Sequence, residues 1–203
     1  MPMGVEEGVF SPAHRDTLLR AELLTQCSLP DSAGLLLGVG RLAAEKRWLM
    51  VIEAVRLAAR ARPLGLVLLG AGRNEAMVRA AIGDDPHIRL LEPVRERAKF
   101  AAIVASADAL VHGCEAETFC LAAAEAKASG VPVIVPDRGG AAEHALGGAG
   151  LTYRAADPGA LAAAIGQLAA QGWPRSHPQV QTMRGHFEQL FAHYAELLEA
   201  RQA

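Results

Sequence analysis

Short apolar runs alternate along this chain with longer stretches rich in alanine and leucine. Gly34–Val39 (GLLLGV) is a brief apolar run and reads as a strand. Glu45–Arg62 then reads as a helix, with Leu49, Ile52, Val55 and Ala59 on one face. The alternation continues with a strand at Gly65–Gly70, a helix at Asn74–Ile82, a strand at Ile88–Leu91 and a helix at Arg95–Ser106. A strand at Ala109–His112 leads to a helix at Thr118–Ser129, and a strand at Val131–Val135 to a Gly-Gly loop and a short helix at Ala141–Leu146. A strand near Leu151–Tyr153 precedes a helix at Pro158–Ala170, and a last helix runs from about Gln179 to Ala200.

Strands this apolar are buried on both faces, and each is followed by a helix. That pattern predicts an α/β domain, a doubly wound Rossmann-like parallel sheet. Ligands of such folds sit at the carboxyl ends of the strands, so the chemistry belongs in the loops that follow them.

Composition narrows the class. The 203 residues suit one domain, and with 51% hydrophobic and 21% charged residues the chain is globular. A net charge of -2 exerts no general pull on nucleic acid. Cys27, Cys114 and Cys120 are an odd number without a CxxC pair, which argues against a disulfide framework or zinc site and fits a reducing compartment. No apolar run approaches the roughly 20 residues needed to span a bilayer. The expected location is cytoplasmic.

Three strand-end loops carry candidate chemistry. The first, Gly38-Val39-Gly40-Arg41-Leu42-Ala43 with Glu45-Lys46, contains GxGxxA, the dinucleotide fingerprint of dehydrogenases. A dehydrogenase also needs an acid at the end of the next strand, and that strand ends Gly70-Ala71-Gly72. Arg41 and Lys46 instead suit a diphosphate, although surface cations capping the sheet would read the same way.

The second loop, Cys114-Glu115-Ala116-Glu117-Thr118-Phe119-Cys120-Leu121, opens a helix that contains Glu125. Glu117 and Glu125 are eight residues apart, and on a helix that spacing places their carboxylates ~12 Å apart along the axis and ~80° apart around it. They could then hold hydroxyls at the two ends of an elongated ligand, with a phosphate between them at the first helical N–H groups. An acid at a helix start is ordinary, but Glu125 among Ala122, Ala123, Ala124 and Ala126 requires a partner. The third loop, Pro136-Asp137-Arg138-Gly139-Gly140-Ala141-Ala142-Glu143, allows a close backbone approach or a plain turn.

In this order the loops resemble family 4 of the retaining GT-B glycosyltransferases. GRLAAEK at 40–46, GAG at 70–72, ETFCLAAAEAKASG at 117–130, PVIV at 132–135 and GGAAE at 139–143 match that family's C-terminal domain. Pro2-Met3-Gly4-Val5-Glu6 with Phe10 and Pro12 looks like its opening linker. The resemblance implies a linker over 1–13, a nucleotide-sugar-binding domain over 14–178, and a C-terminal helix over 179–203 that crosses toward an N-terminal domain.

It further implies that Arg41 and Lys46 neutralise the diphosphate, that Glu117 binds the sugar hydroxyls, and that Glu125 binds the ribose. Gly40, Gly70, Gly72, Thr118, Phe119, Gly139 and Gly140 complete the donor site. Backbone N–H groups at Cys120 and Leu121 would hold a phosphate, and main chain at Pro93 and Val94 would meet the base. The implied donor is a GDP- or UDP-linked hexose, with no other cofactor. The implied acceptor is a sugar or glycolipid on the N-terminal domain, with peripheral membrane association of the full-length enzyme. The chain alone is expected to bind donor and to transfer poorly.

Two departures stand out, because Cys120 and Arg47 occupy positions where the family favours glycine. Cys120 is expected to point away from the donor, with a thiol pKa open to lowering by the helix terminus. The sequence holds no Asp-x-Asp pair, so donor binding is expected to be metal-independent. Alternatives are a GT-B-fold epimerase or phosphorylase relative, and a non-catalytic nucleotide-sugar-binding module. The row Met183, Phe187, Leu190, Phe191, Tyr194, Leu197 and Leu198 is expected to pack on its own domain, and homodimerisation would follow if part of it were exposed. His186 and His193 lack an evident third ligand, and no metal is assigned.

Overall fold

The computed structural model describes residues 4–148, 150–176 and 180–200. Six strands form one parallel sheet: β1 (Gly34–Val39), β2 (Leu64–Leu69), β3 (Ile88–Leu91), β4 (Ala109–Val111), β5 (Val133–Pro136) and β6 (Gly150–Tyr153). Their order, β3-β2-β1-β4-β5-β6, is the doubly wound arrangement anticipated from the sequence. The chain winds one way from β1 to β3 and the other way from β4 to β6. A crevice therefore opens between the carboxyl ends of β1 and β4.

Among the described residues, helices α1 (Thr17–Gln26), α2 (Trp48–Ala59), α3 (Glu75–Ile82), α4 (Arg97–Ser106), α5 (Leu121–Ala128) and α6 (Pro158–Ala170) flank the sheet, and α7 (Met183–Ala200) follows them. Leu35, Leu37, Val67 and Val133 point into one apolar cluster, and Leu36, Leu66, Leu68 and Ile134 into the other. This is the period-two division that a doubly covered sheet requires.

Several elements differ from the sequence expectation. Helix α1 was not anticipated, although Asp16 caps it by accepting from the N–H groups of Leu18 and Leu19. A buried anchor docks it: Arg20 donates to Asp108 and to the carbonyls of Asp31 and Ala33. The expected helix from Glu45 is broken. Ala44–Lys46 form a 3-10 turn, Arg47 takes a left-handed conformation (φ 52°), and α2 starts at Trp48. That break rotates the helix, so Leu49 faces solvent while Val51, Ala54 and Ala58 join Ile52 and Val55 inside.

Of the expected linker, Pro2 and Met3 lie outside the described residues, and the part from Gly4 on is tied down. Val5 bridges to Thr182 and is buried, and Phe10 packs edge-on against Phe100. The apolar row of α7 does not pack on the domain as expected. Phe187, Phe191, Tyr194, Leu197 and Leu198 are 43–65% exposed. Among the described residues, α7 is anchored at its base, where Met183 N–H donates to Val5 O and His186 is buried. Gln179, in the expected last helix, lies outside the described residues. No helix among them is long and apolar enough to cross a membrane.

Candidate donor-binding site

The crevice is walled by the loops that the sequence singled out. After β1, the Trp48 indole N–H donates to Arg41 O at 2.9 Å, which fixes the turn that brings Lys46 back over the sheet. The loops after β1 and β2 lie against each other so closely that a Cβ on Gly70 would collide with Gly40 O. Gly72 sits in the same way on the backbone of Leu42. Gly70 and Gly72 are therefore required by close packing of main chain.

Glu117 lies in the loop before α5, not on the helix. The expectation of two carboxylates on one helical axis is corrected: α5 begins at Leu121, because Cys120 takes a left-handed conformation (φ 50°) that interrupts the helix. Two basic side chains approach the Glu117 carboxylate at one atom. Lys46 Nζ bonds to Oε1, and His112 Nε2 stands 3.3 Å from the same oxygen, without the alignment of a hydrogen bond. His112, above all, and then Lys46 outweigh the cost of burial and push the Glu117 pKa down to about 2. A second ion pair, Arg47 with Glu115, joins the same two loops.

The third loop holds this arrangement from behind. Gly140 N–H donates to Glu117 O at 2.8 Å, and His144 Nε2 lies 2.7 Å from Phe119 O. A Cβ at Gly139 or Gly140 would strike the backbone of Glu115 or Thr118. Both glycines thus seat the Glu117 loop.

Cys120 is 4% exposed and packs in an apolar cluster, yet it also borders the cavity. The anticipated lowering of its pKa is corrected: burial pushes the thiol up to about 12. A ligand nitrogen of His112, a Glu117 oxygen and the Cys120 sulfur lie within 4.8 Å of one another. The Lys46 ammonium already supplies positive charge to Glu117 there.

Two cavities meet at this crevice. One, of about 600 Å³, is lined by Arg41, Lys46, His112, Glu117 through Ala122, and Glu125. The other, of about 310 Å³, is apolar and lies over Val39, Leu69, Gly70, Pro93, Val94 and Phe100. They share Val39, Gly40, Arg41, Arg97 and Phe100, and so form one continuous trough. Leu121 and Ala122 present the first turn of α5 to it, where helical N–H groups lack intrahelical acceptors.

Glu125 lines the larger cavity, beside Arg97, which borders both cavities. Burial pushes its pKa up to about 7 even with Arg97 Nη1 at 3.6 Å. Arg97, at the start of α4, also pairs with Glu6 at 3.0 Å and stacks over the Phe10 ring. Arg41 is the most accessible cation of the site, its side chain 77% exposed and paired with Glu45.

Sequence reasoning missed His112, Glu115 and Arg97 as site residues. His112 carried a readable signal, a histidine closing an otherwise apolar strand at its carboxyl end. Arg97 carried less, a cation in a helix start rich in charge.

The comparisons agree with this geometry. Residues 33–171 match the family "Glycosyl transferases group 1". The chain is 38% identical to a GDP-mannose-dependent alpha-mannosyltransferase of Mycolicibacterium smegmatis over 137 residues, 68% of this chain and 33% of that protein. It is 34% identical to the Mycobacterium tuberculosis protein of the same name over equal shares. The match thus spans about a third of the length of these relatives.

Similar structures include a glycosyltransferase from Rickettsia africae, with a TM-score of 0.74 and 17% identity over 97% of this chain and 56% of that one. The C-terminal domain of a group 1 glycosyl transferase from Francisella tularensis has a TM-score of 0.63 and 20% identity, over 82% and 88%. The six-stranded domain is therefore one half of a GT-B fold, and the chain belongs to the group 1 glycosyltransferases.

Proposed function

We propose that this domain binds the nucleotide-sugar donor of a retaining, metal-independent hexosyltransferase, with GDP-mannose as the foremost donor. The reading rests on one observation: a continuous trough at the switch point of the sheet, apolar at one end and carrying the Lys46–Glu117–His112 cluster at the other. A nucleotide sugar has the same graded polarity. Its base fits the apolar end at Pro93 and Val94, and its ribose reaches Glu125. Its diphosphate meets Arg41, Lys46 and the first turn of α5, and its sugar meets Glu117.

Transfer builds negative charge on the departing diphosphate as the sugar becomes oxocarbenium-like. Fixed cations and helix N–H groups stabilise that charge without a metal. The relatives named as GDP-mannose-dependent support the choice of donor, and the acceptor belongs to the remainder of a longer enzyme.

Calorimetric titration with UDP, GDP, ADP and their hexose conjugates in EDTA tests the reading. Binding of a guanosine diphosphate sugar, lost in Glu125→Ala and Arg41→Ala, is the expected result. No binding of any of them at millimolar concentration would overturn it, and binding abolished by EDTA would remove the metal-independent part.

A further inference from the structure

Glu117 is held unevenly. Lys46 and His112 both make their nearest approach at Oε1, and among the described residues no hydrogen bond is made to Oε2. His112 itself is 2% exposed, lines the larger cavity, and neither ring nitrogen makes a hydrogen bond. A buried imidazole left this way costs free energy, so its position calls for a reason. Its backbone is fixed: the Tyr153 hydroxyl on β6 donates to His112 O at 2.8 Å. The ring therefore stands at the floor of the site, one small rotation of Glu117 away from donating Nε2–H to Oε1.

We propose that His112 is a positioning residue for the donor sugar: with Lys46 it captures Oε1 of Glu117 and leaves Oε2 as a single, oriented acceptor for a sugar hydroxyl. This rests on the donor reading above and deepens it. A carboxylate free to swing would accept from many poses. One pinned by an ammonium on one side and an imidazole on the other accepts along one direction, which makes it selective for the sugar. The depressed pKa of Glu117 agrees, because it keeps the acceptor ionised at every pH where the protein would work. The same clamp favours neutral, hydroxyl-bearing sugars over donors that bring a carboxylate to this point.

The test compares GDP with GDP-mannose, and UDP with UDP-glucose, by calorimetry on the full chain and its variants. In His112→Leu, the extra affinity contributed by the sugar falls about tenfold, while the affinity for the bare diphosphate changes less than about twofold. His112→Gln, whose amide N–H can reach Oε1, restores most of the difference. His112→Asn repeats the test should leucine disturb the packing. An unchanged sugar increment overturns the proposal, and so does an equal loss for diphosphate and sugar nucleotide in a folded variant.

Carbon-13 detection of the Glu117 carboxyl in the unliganded chain is independent of any ligand. Titration near pH 2 that moves toward the ordinary range in His112→Leu supports the clamp. Titration that does not move overturns it. If the wild-type chain binds none of the four probes, the donor reading fails, and the carboxyl titration still decides whether His112 positions Glu117.

Discussion

Glu117 and Glu125 border one cavity, eight residues apart, in opposite electrical settings. Glu117 has two basic neighbours at one oxygen and is held ionised, with its pKa at about 2. Glu125 has Arg97 at 3.6 Å, too distant to offset burial, and its pKa rises to about 7. The E-x7-E spacing makes the two look equivalent. The structure separates them into a fixed anion and a carboxyl poised near neutrality. Under the donor reading, the sugar end is preset and the ribose end adjusts its charge when the ligand arrives.

The largest effect expected from breaking this contrast is at Glu117. Glu117→Ala strands Lys46 in a half-buried site, and sugar-dependent affinity should vanish in calorimetry. The native pKa lies below the ordinary 4.5, so the Glu117 contribution to stability is complete above that pH. It is lost as pH falls from about 4.5 to about 2, and amounts to roughly 3 kcal/mol. Urea denaturation at pH 7 and pH 3 reads it: the variant should trail wild type at the first pH and approach it at the second.

Glu125 has the opposite sign. Its folded form retains a proton that the unfolded chain releases near 4.5, so stability declines as pH rises from there through about 7. Glu125→Gln should therefore stabilise the domain by up to about 2 kcal/mol at pH 8, after loss of the Arg97 contact, and change little at pH 4. Its nucleotide affinity should fall about tenfold. A gain in stability without loss of affinity would separate Glu125 from the ligand.

A subtler consequence concerns protons. Ribose hydroxyls favour the ionised form of Glu125, so nucleotide binding at pH 7 should release about half a proton. Calorimetry in buffers of different ionisation enthalpy detects this, and the release should disappear in Glu125→Gln.

The smallest effect is expected at Cys120. Glycine there removes left-handed strain of about 1 kcal/mol and the burial of one thiol, which oppose each other. Thermal unfolding and diphosphate affinity should both stay close to wild type. A large gain in affinity would show that the thiol crowds the phosphate.

Much of this site is readable before any coordinates. Apolar runs alternating with helical stretches predict the sheet, and β1 and β3 fall on the expected residues because each run ends at a polar or glycine residue. Arg41, Lys46, Glu117 and Glu125 are found from residue type and strand-end position, and all four do line the trough. What the spacing misses is conformational. Two non-glycine residues at positive φ, Arg47 and Cys120, shorten the helices that follow them, and periodicity carries no trace of a positive φ. The pairing of His112 with Glu117 is equally hidden, since it depends on how far a loop folds back over its own strand. The exposed face of α7 shows the converse limit: an apolar row predicts burial but does not name the surface that covers it.

The Gly139-Gly140 loop carries no charge into the trough, yet it supports the backbone on which Glu117 rides. In terms of exchangeable parts, the loops after β4 and β5 form a matched set, as do those after β1 and β2. Transplanting one loop from a relative with another sugar preference would leave it against a surface of the wrong shape. Transplanting the pair would carry the fit along with it. Changes in specificity in this domain should therefore be sought in linked segments about 20 to 30 residues apart, where two loops must change together.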